Sequence, residues 1–249
     1  MDIQKTARIF GWLFIATFVT SLGTKALFVS GVGGSFSQLV FTPGTLSETA
    51  VHVAVILEFL LIVTGIGTAV VLYPIVKRQS EGLALGYVTA RVVESTFILV
   101  GLLSVISLVS VNDAIAGASG GQATALAAQG SSLAATYDWA FLFGPGLVVG
   151  FGNGLILGYL MYRSGLLPRR MAMFGLVGGP MLILSFGLIL FGVYENGSVP
   201  SFLMALPEII WEGSIGIYAA WKGFRPSPIA DPVGGGIAEP AGSPFAFTN

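Results

Sequence analysis

The chain has no cysteine and a single histidine, His52, in 249 residues. The first absence removes disulfides, thiolate metal sites and cysteine nucleophiles; the second removes bis-histidine haem ligation and most zinc sites. Charge is also scarce, at 9% of residues against about 25% in a soluble domain. With 54% hydrophobic residues, 18 Phe and a mean hydropathy of +0.87, a globule of this length has too little polar surface to face water. A net charge of −1 gives no basis for nucleic-acid binding. What remains is an integral membrane protein whose first partner is the lipid bilayer.

A hydrocarbon core about 30 Å thick needs roughly 20 apolar residues in a helix. Six runs of that kind occur, approximately Ile9 to Ser30, Thr49 to Val76, Gly82 to Ser110, Thr136 to Tyr162, Met171 to Tyr194 and Ser201 to Trp221. They predict an all-α, polytopic transmembrane bundle of six helices within residues 1–225. The first run follows Lys5 and Arg8 as a signal peptide would, but it is long and Ser21-Leu22-Gly23-Thr24-Lys25 lacks a small-residue cleavage pattern. The Ala-, Gly- and Ser-rich stretch from Ala116 to Ala135 has no strong apolar face and is expected to be a loop. The tail, residues 226–249, holds Pro226, Pro228, Pro232, Gly234 to Gly236, Pro240 and Pro244, a composition that cannot bury a core, and is expected to be disordered.

Orientation follows from the short loops. Lys5, Arg8, Lys77, Arg78, Arg163, Arg169, Arg170, Lys222 and Arg225, nine of the 11 basic residues, fall on one side of a six-helix chain. The opposite connections, Gly31 to Glu48, Val111 to Ala135 and Glu195 to Pro200, contain no Lys or Arg. By the positive-inside rule both termini are expected to be cytoplasmic.

Ionisable residues at mid-bilayer cost at least about 2.5 kcal/mol on insertion scales and normally face a bundle interior or a wet cavity. Five fall near mid-depth: Glu58 in the second run, Arg91 and Glu94 in the third, Glu208 and Glu212 in the sixth. Arg91 and Glu94 share a helical face, with Tyr87 one turn earlier. Glu208 and Glu212 also share a face, and like charges so placed repel. Four acids against one Arg call for bound protons, or for a cation, a cationic ligand or water between the second, third and sixth helices. The plain alternative is that Arg91 bridges Glu94 and another Glu and merely fixes packing. A second polar layer, Lys25, Glu48, His52, Tyr137 and Asp138, is expected at the outer rim, where Lys25 can snorkel to the interface and a lone His is ordinarily just solvated.

The fourth run carries Gly146, Gly150, Gly154 and Gly158 at every fourth position, a helix-packing stripe that lets another backbone approach closely. Pro145, Pro180 and Pro207 each interrupt a helix and free a carbonyl, although Gly and Pro are common in membrane helices for no special reason. Known membrane chemistries find little support. There is no mid-helix Lys for a retinal Schiff base, no paired histidines for a zinc protease, and no nucleophile motif beside His52. The Tyr137-Asp138 pair lacks a second intramembrane Asp for aspartyl proteolysis. A carboxylate-only metal site from Glu58, Glu94, Glu208 and Glu212 is conceivable for a hard cation, but no spacing singles it out. No catalytic residue, metal or cofactor is assigned. A faint similarity between Leu72 to Leu83 and Leu160 to Leu166 relates two hairpins without repeating the acids, so no inverted repeat is inferred.

Several segments together carry a family likeness: Ala7-Arg8-Ile9-Phe10-Gly11; Leu72-Tyr73-Pro74 with Lys77-Arg78; Glu81-Gly82-Leu83-Ala84-Leu85-Gly86-Tyr87; Arg91-Val92-Val93-Glu94; Tyr162-Arg163-Ser164 with Pro168-Arg169; Pro207-Glu208; and Trp221-Lys222-Gly223-Phe224. Over residues 5–225 the chain resembles a bacterial family of small six-helix integral membrane proteins catalogued only as a domain of unknown function. The resemblance implies a bacterial plasma (inner) membrane location and a six-helix bundle. It supplies no activity, so no functional residue carries over.

Three functions fit the sequence. The first is binding or transport of a small solute, cation or proton at the buried carboxylates Glu58, Glu94, Glu208 and Glu212 with Arg91. The second is a structural or accessory subunit that assembles with itself or a partner membrane subunit through the glycine stripe. The third is a lipid-modifying enzyme using Glu general acid and base chemistry, for which no headgroup motif is present.

Overall fold

The computed structural model describes residues 2–29 and 48–229. They form six helices and, among the described residues, no strand: α1 Ile3–Val29, α2 Glu48–Val76, α3 Glu81–Ala116, α4 Gly121–Ser164, α5 Arg169–Leu190 and α6 Val199–Lys222. The first five are long and apolar enough to cross a membrane. α6 has the length, but Glu208 and Glu212 lower its apolarity. Each helix packs on the next, and α6 returns to α1, so the bundle closes on itself.

The sequence explains this closure. On α1 the positions Ala7, Phe10, Phe14, Thr17, Thr20 and Thr24 recur at helical spacing and are buried, whereas Trp12, Val19 and Leu22 on the other faces are exposed. Exposed Ile56, Phe59, Val63 and Val70 repeat the pattern on α2, giving the apolar exterior that lipid requires. Where α1 meets α6, Gly11 lies against the backbone of Ala219 and Ala220, and Gly216 lies against Phe14. Close backbone approach of this kind is how helices associate in lipid, where burial of apolar area gives no gain.

Local signals set the ends. Ser80 caps α3 by accepting from the Leu83 N–H, and Ser198 caps α6 with Pro200 in its first turn. Gly165 ends α4 in the left-handed conformation at φ 68°.

Two expectations change. The stretch read as a loop from Ala116 to Ala135 is helical from Gly121 onward and belongs to α4. Alanine favours helix without any apolar face, and periodicity alone could not show it. α3, at 36 residues, is about 54 Å long, so with the start of α4 it extends well past a hydrocarbon core of about 30 Å. The start of the tail is not loose either. Arg225 N–H donates to the Leu166 carbonyl at 2.9 Å, Ser227 Oγ to the Ser164 carbonyl at 2.6 Å, and Arg78 to the Ile229 carbonyl at 3.2 Å. The rest of the tail, from residue 230, lies outside the described residues.

Candidate functional site

α4 changes its winding in the membrane. Leu142–Val148 and Gly150–Leu157 are π-helical, with Pro145 inside the first segment. Proline cannot donate to the carbonyl four residues back, which here is Phe141, and glycines at 144, 146, 150, 152 and 154 permit the wider coil. π-Turns ordinarily occur singly and often at functional sites, so two consecutive segments are unusual.

This stretch places Asn153, fully buried, against α6. Its Nδ2 donates to Glu212 Oε1, and its main-chain carbonyl accepts from Trp211 Nε1 at 2.9 Å. From α3, Arg91 Nη1 donates to Glu94 Oε2 at 2.6 Å, and Nε donates to the Gly65 carbonyl of α2 at 3.1 Å. Its guanidinium carbon lies 5.7 Å from the Phe14 ring centre. A Cβ at Gly65 would sit 3.1 Å from Nη2, so the absence of a side chain lets Arg91 reach that carbonyl. The same carbonyl accepts from Thr68 Oγ1 at 2.6 Å, and Thr68 shares a hydrogen bond of 3.3 Å with the Tyr87 hydroxyl.

Glu212, half-buried, is close enough for its charge to act on Arg91, Glu94 and Glu208. Glu208, beside Pro207, is 2% exposed. Among the described residues neither of its carboxyl oxygens has a hydrogen-bond partner, and Oε2 lies against Gly154 and Gly178. Asn153 Oδ1 is also without a partner. A buried carboxylate lacking both donor and counter-ion is strongly unfavourable, which makes this corner the least satisfied polar group of the cluster.

The sequence-predicted inner set therefore divides. Tyr87, Arg91 and Glu94 lie together, the charge of Glu212 reaches all three, and Glu208 is linked to them through Glu212. Glu58 does not join them: it lies seven residues, about 10 Å along α2, from the glycine that Arg91 contacts. Its partner is Tyr137, which donates to Glu58 Oε1. Tyr137, expected at the rim, is instead buried. Asp138 beside it is half-buried and its charge acts on Tyr137. Lys25 and His52 are exposed, and the Glu48 side chain lies outside the described residues. Among the described residues no three acids or histidines are grouped to hold a metal, so the four carboxylates do not form one metal site.

The glycine stripe is occupied within the chain. A Cβ at Gly150 would lie 2.8 Å from the Gly179 carbonyl oxygen, one at Gly158 3.2 Å from Leu176 N, and one at Gly154 would meet the Gly179 backbone. Gly146 has no neighbouring helix at its Cβ position, where the nearest atom belongs to Leu142, 3.6 Å away.

Sequence reasoning missed Asn153, Trp211, Thr68 and the α5 glycines Gly175, Gly178 and Gly179. An amide within an apolar run was the available signal for Asn153, and the small-residue spacing was the signal on α5. A groove of about 380 Å³ on the α3–α4 face, lined by Phe97, Trp139, Phe143 and Ser132 among others, includes none of the carboxylates.

The family model described as Domain of unknown function (DUF4386) matches residues 9–223. The chain belongs to this family. The match reaches all six helices and covers the buried cluster, and it supplies no activity; the membrane bundle is carried by the apolar helices. Neither a curated protein nor a solved structure matches the chain.

Proposed function

We propose that the protein binds protons within the membrane at the cluster of Glu94, Glu208, Glu212 and Arg91 and passes them across it, alone or with a small solute. The observation that carries this reading is Glu208: buried, without a donor among the described residues, and beside a second acid one turn away. Among the described residues no three acids are grouped closely enough to hold a metal ion, whereas each acid can take a proton singly. The single guanidinium balances at most one of the nearby carboxylates, so the others hold or exchange protons as the site fills and empties. The irregular winding of α4 supports the same reading, since non-α backbone at membrane depth belongs where it is buried in protein or lines a cavity.

We place the protein in a bacterial inner membrane with both termini cytoplasmic. The support is the basic end of the bundle, where Lys5, Arg8, Lys77, Arg78, Arg163, Arg169, Arg170, Lys222 and Arg225 gather at helix ends. Assembly through the α4 glycines is disfavoured, because α5 already covers three of the four.

The test is flux. Purified protein in proteoliposomes carrying an internal pH-sensitive dye should dissipate an imposed proton gradient, and Glu208→Gln should abolish this while the protein stays folded. Equal flux from wild type, Glu208→Gln and protein-free vesicles would end the proposal.

A further inference from the structure

Glu58 and Tyr137 stand apart from the cluster that the proposed function uses. Glu58 is 1% exposed; its Oε1 accepts from the Tyr137 hydroxyl, and among the described residues its Oε2 has no partner. Tyr137 is held by its ring, whose centre is 5.2 Å from that of Phe141 and whose Cδ2 lies 3.2 Å from a Cβ position on Gly101. The pair is farther than the cluster from the end of α2 that carries Lys77 and Arg78. Buried Leu61 on α2 and Ile98 on α3 occupy the level between the two groups.

The threonines of α1 cross that level. Thr17, Thr20 and Thr24 are buried at 8%, 7% and 1% exposure and follow one another along one face. The stripe starts one turn past Phe14, which lies under Arg91, and ends beside Gly23, whose Cβ position is 3.0 Å from Leu57, the residue before Glu58. Each hydroxyl donates to a carbonyl of its own helix, Thr17 to Phe14 at 2.7 Å, Thr20 to Ala16 at 2.8 Å and Thr24 to Thr20 at 3.1 Å. Their oxygen lone pairs are left as acceptors.

We propose that Glu58 and Tyr137 form a second proton-binding station, connected to the cluster along the threonine stripe of α1. This inference rests on the proton reading above and gives it a route. A proton arriving from the end remote from the basic face adds to Glu58 Oε2 and makes the neutral acid. Tyr137 keeps its own proton and continues to donate to Oε1. On release, the Oε2–H bond breaks, the proton passes to water accepted by the threonine oxygens, and the carboxylate is restored.

The groups around Glu58 suit this role. α2 offers His52, which is exposed, and α1 offers Lys25, also exposed. α4 offers Tyr137 and the half-buried Asp138, and α3 has no titratable residue between Glu94 and Asp113. Among the described residues no buried cation faces Glu58, so the proton is the neutralising charge.

Two readouts on the full chain in lipid test the station. Infrared difference spectra across a pH titration should show a protonated-carboxyl C=O band that is lost in Glu58→Gln and shifted in Tyr137→Phe, a variant that keeps the ring packing and removes only the O–H. In proteoliposomes, wild-type proton flux should be lost in Glu58→Gln, and Thr20→Val should slow it while keeping the Glu58 band. Wild-type flux that persists in Glu58→Gln, or a band unaffected by both Glu58→Gln and Tyr137→Phe, overturns the station. Full flux in Thr20→Val overturns the threonine route. Absence of wild-type flux ends the proposed function instead, and the band then decides by itself whether Glu58 takes up a proton.

Discussion

The indole N–H of Trp211 donates to the main-chain carbonyl of Asn153 across 2.9 Å and so ties α6 to the π-helical part of α4. The residue after Trp211 is Glu212, and the Asn153 side chain donates to it. One asparagine thus meets two consecutive residues of α6. Trp211→Phe removes the N–H and some ring volume, and should lower the apparent melting temperature by the equivalent of at least about 1 kcal/mol. Trp221→Phe, at an exposed site, should change it little. Equal melting of the two variants in detergent would contradict the tie.

The glycine seam between α4 and α5 predicts a contrast along one stripe. Gly150→Ala and Gly154→Ala place a methyl group against the backbone at Gly179 and should each destabilise by about 1–3 kcal/mol. Gly146→Ala meets only a leucine of its own helix and should be tolerated. Thermal shift measurements on the three variants check this; a Gly146→Ala as damaging as Gly154→Ala would mean that the stripe serves another surface.

Arg91 and Glu94 form a buried pair at 2.6 Å, with side chains 4% and 8% exposed. Removing either partner leaves an uncompensated charge, and Arg91→Gln or Glu94→Gln should cost about 3–5 kcal/mol. The double variant should cost clearly less than the two single losses added together. Strict additivity in a melting cycle would show that the pair is not coupled.

Glu208 should behave in the opposite way. With no hydrogen bond to lose, Glu208→Gln is expected to melt at or above the wild-type temperature while proton flux disappears, the pattern of a residue kept at a cost to stability. A severe loss of stability in this variant would instead make Glu208 a packing residue.

Gln4 joins the start of α1 to the segment after α6, donating to the Phe224 carbonyl at 2.8 Å and accepting from its N–H at 3.1 Å. Gln4→Ala should loosen the segment after Gly223, read as faster limited proteolysis there with unchanged melting of the bundle. Unaltered cleavage would show that Arg225 and Ser227 hold the segment by themselves.

The helices were legible because lipid imposes a length and an apolarity that runs such as Thr49 to Val76 display openly. The Arg91–Glu94 pair was legible for a similar reason, since residues three apart on a helix must share a face. The rest of the site joins different helices. Nothing local says that Tyr137 on α4 meets Glu58 on α2, or that Asn153 lies between Trp211 and Glu212, because those meetings depend on how the ring of helices is rotated. The π winding of α4 was equally hidden. Pro145 announced an interruption but not its form. The stretch after Gly121 was misread because its helix rests on alanine propensity rather than on an apolar face.

Between α4 and α5 main chain meets main chain, Gly150 and Gly154 against Gly179 and Gly158 against Gly175 and Leu176, while the Cβ positions of Gly175 and Gly178 face α6. Leu182 and Ile183 of α5 put side chains into this seam beside Gly150, and α6 adds two more. The Trp211 ring sits where a Gly175 side chain would be, and the Glu208 carboxyl lies against both Gly154 and Gly178. The sixth helix therefore keys into both the fourth and the fifth, and the proton proposed for Glu208 would bind where all three meet.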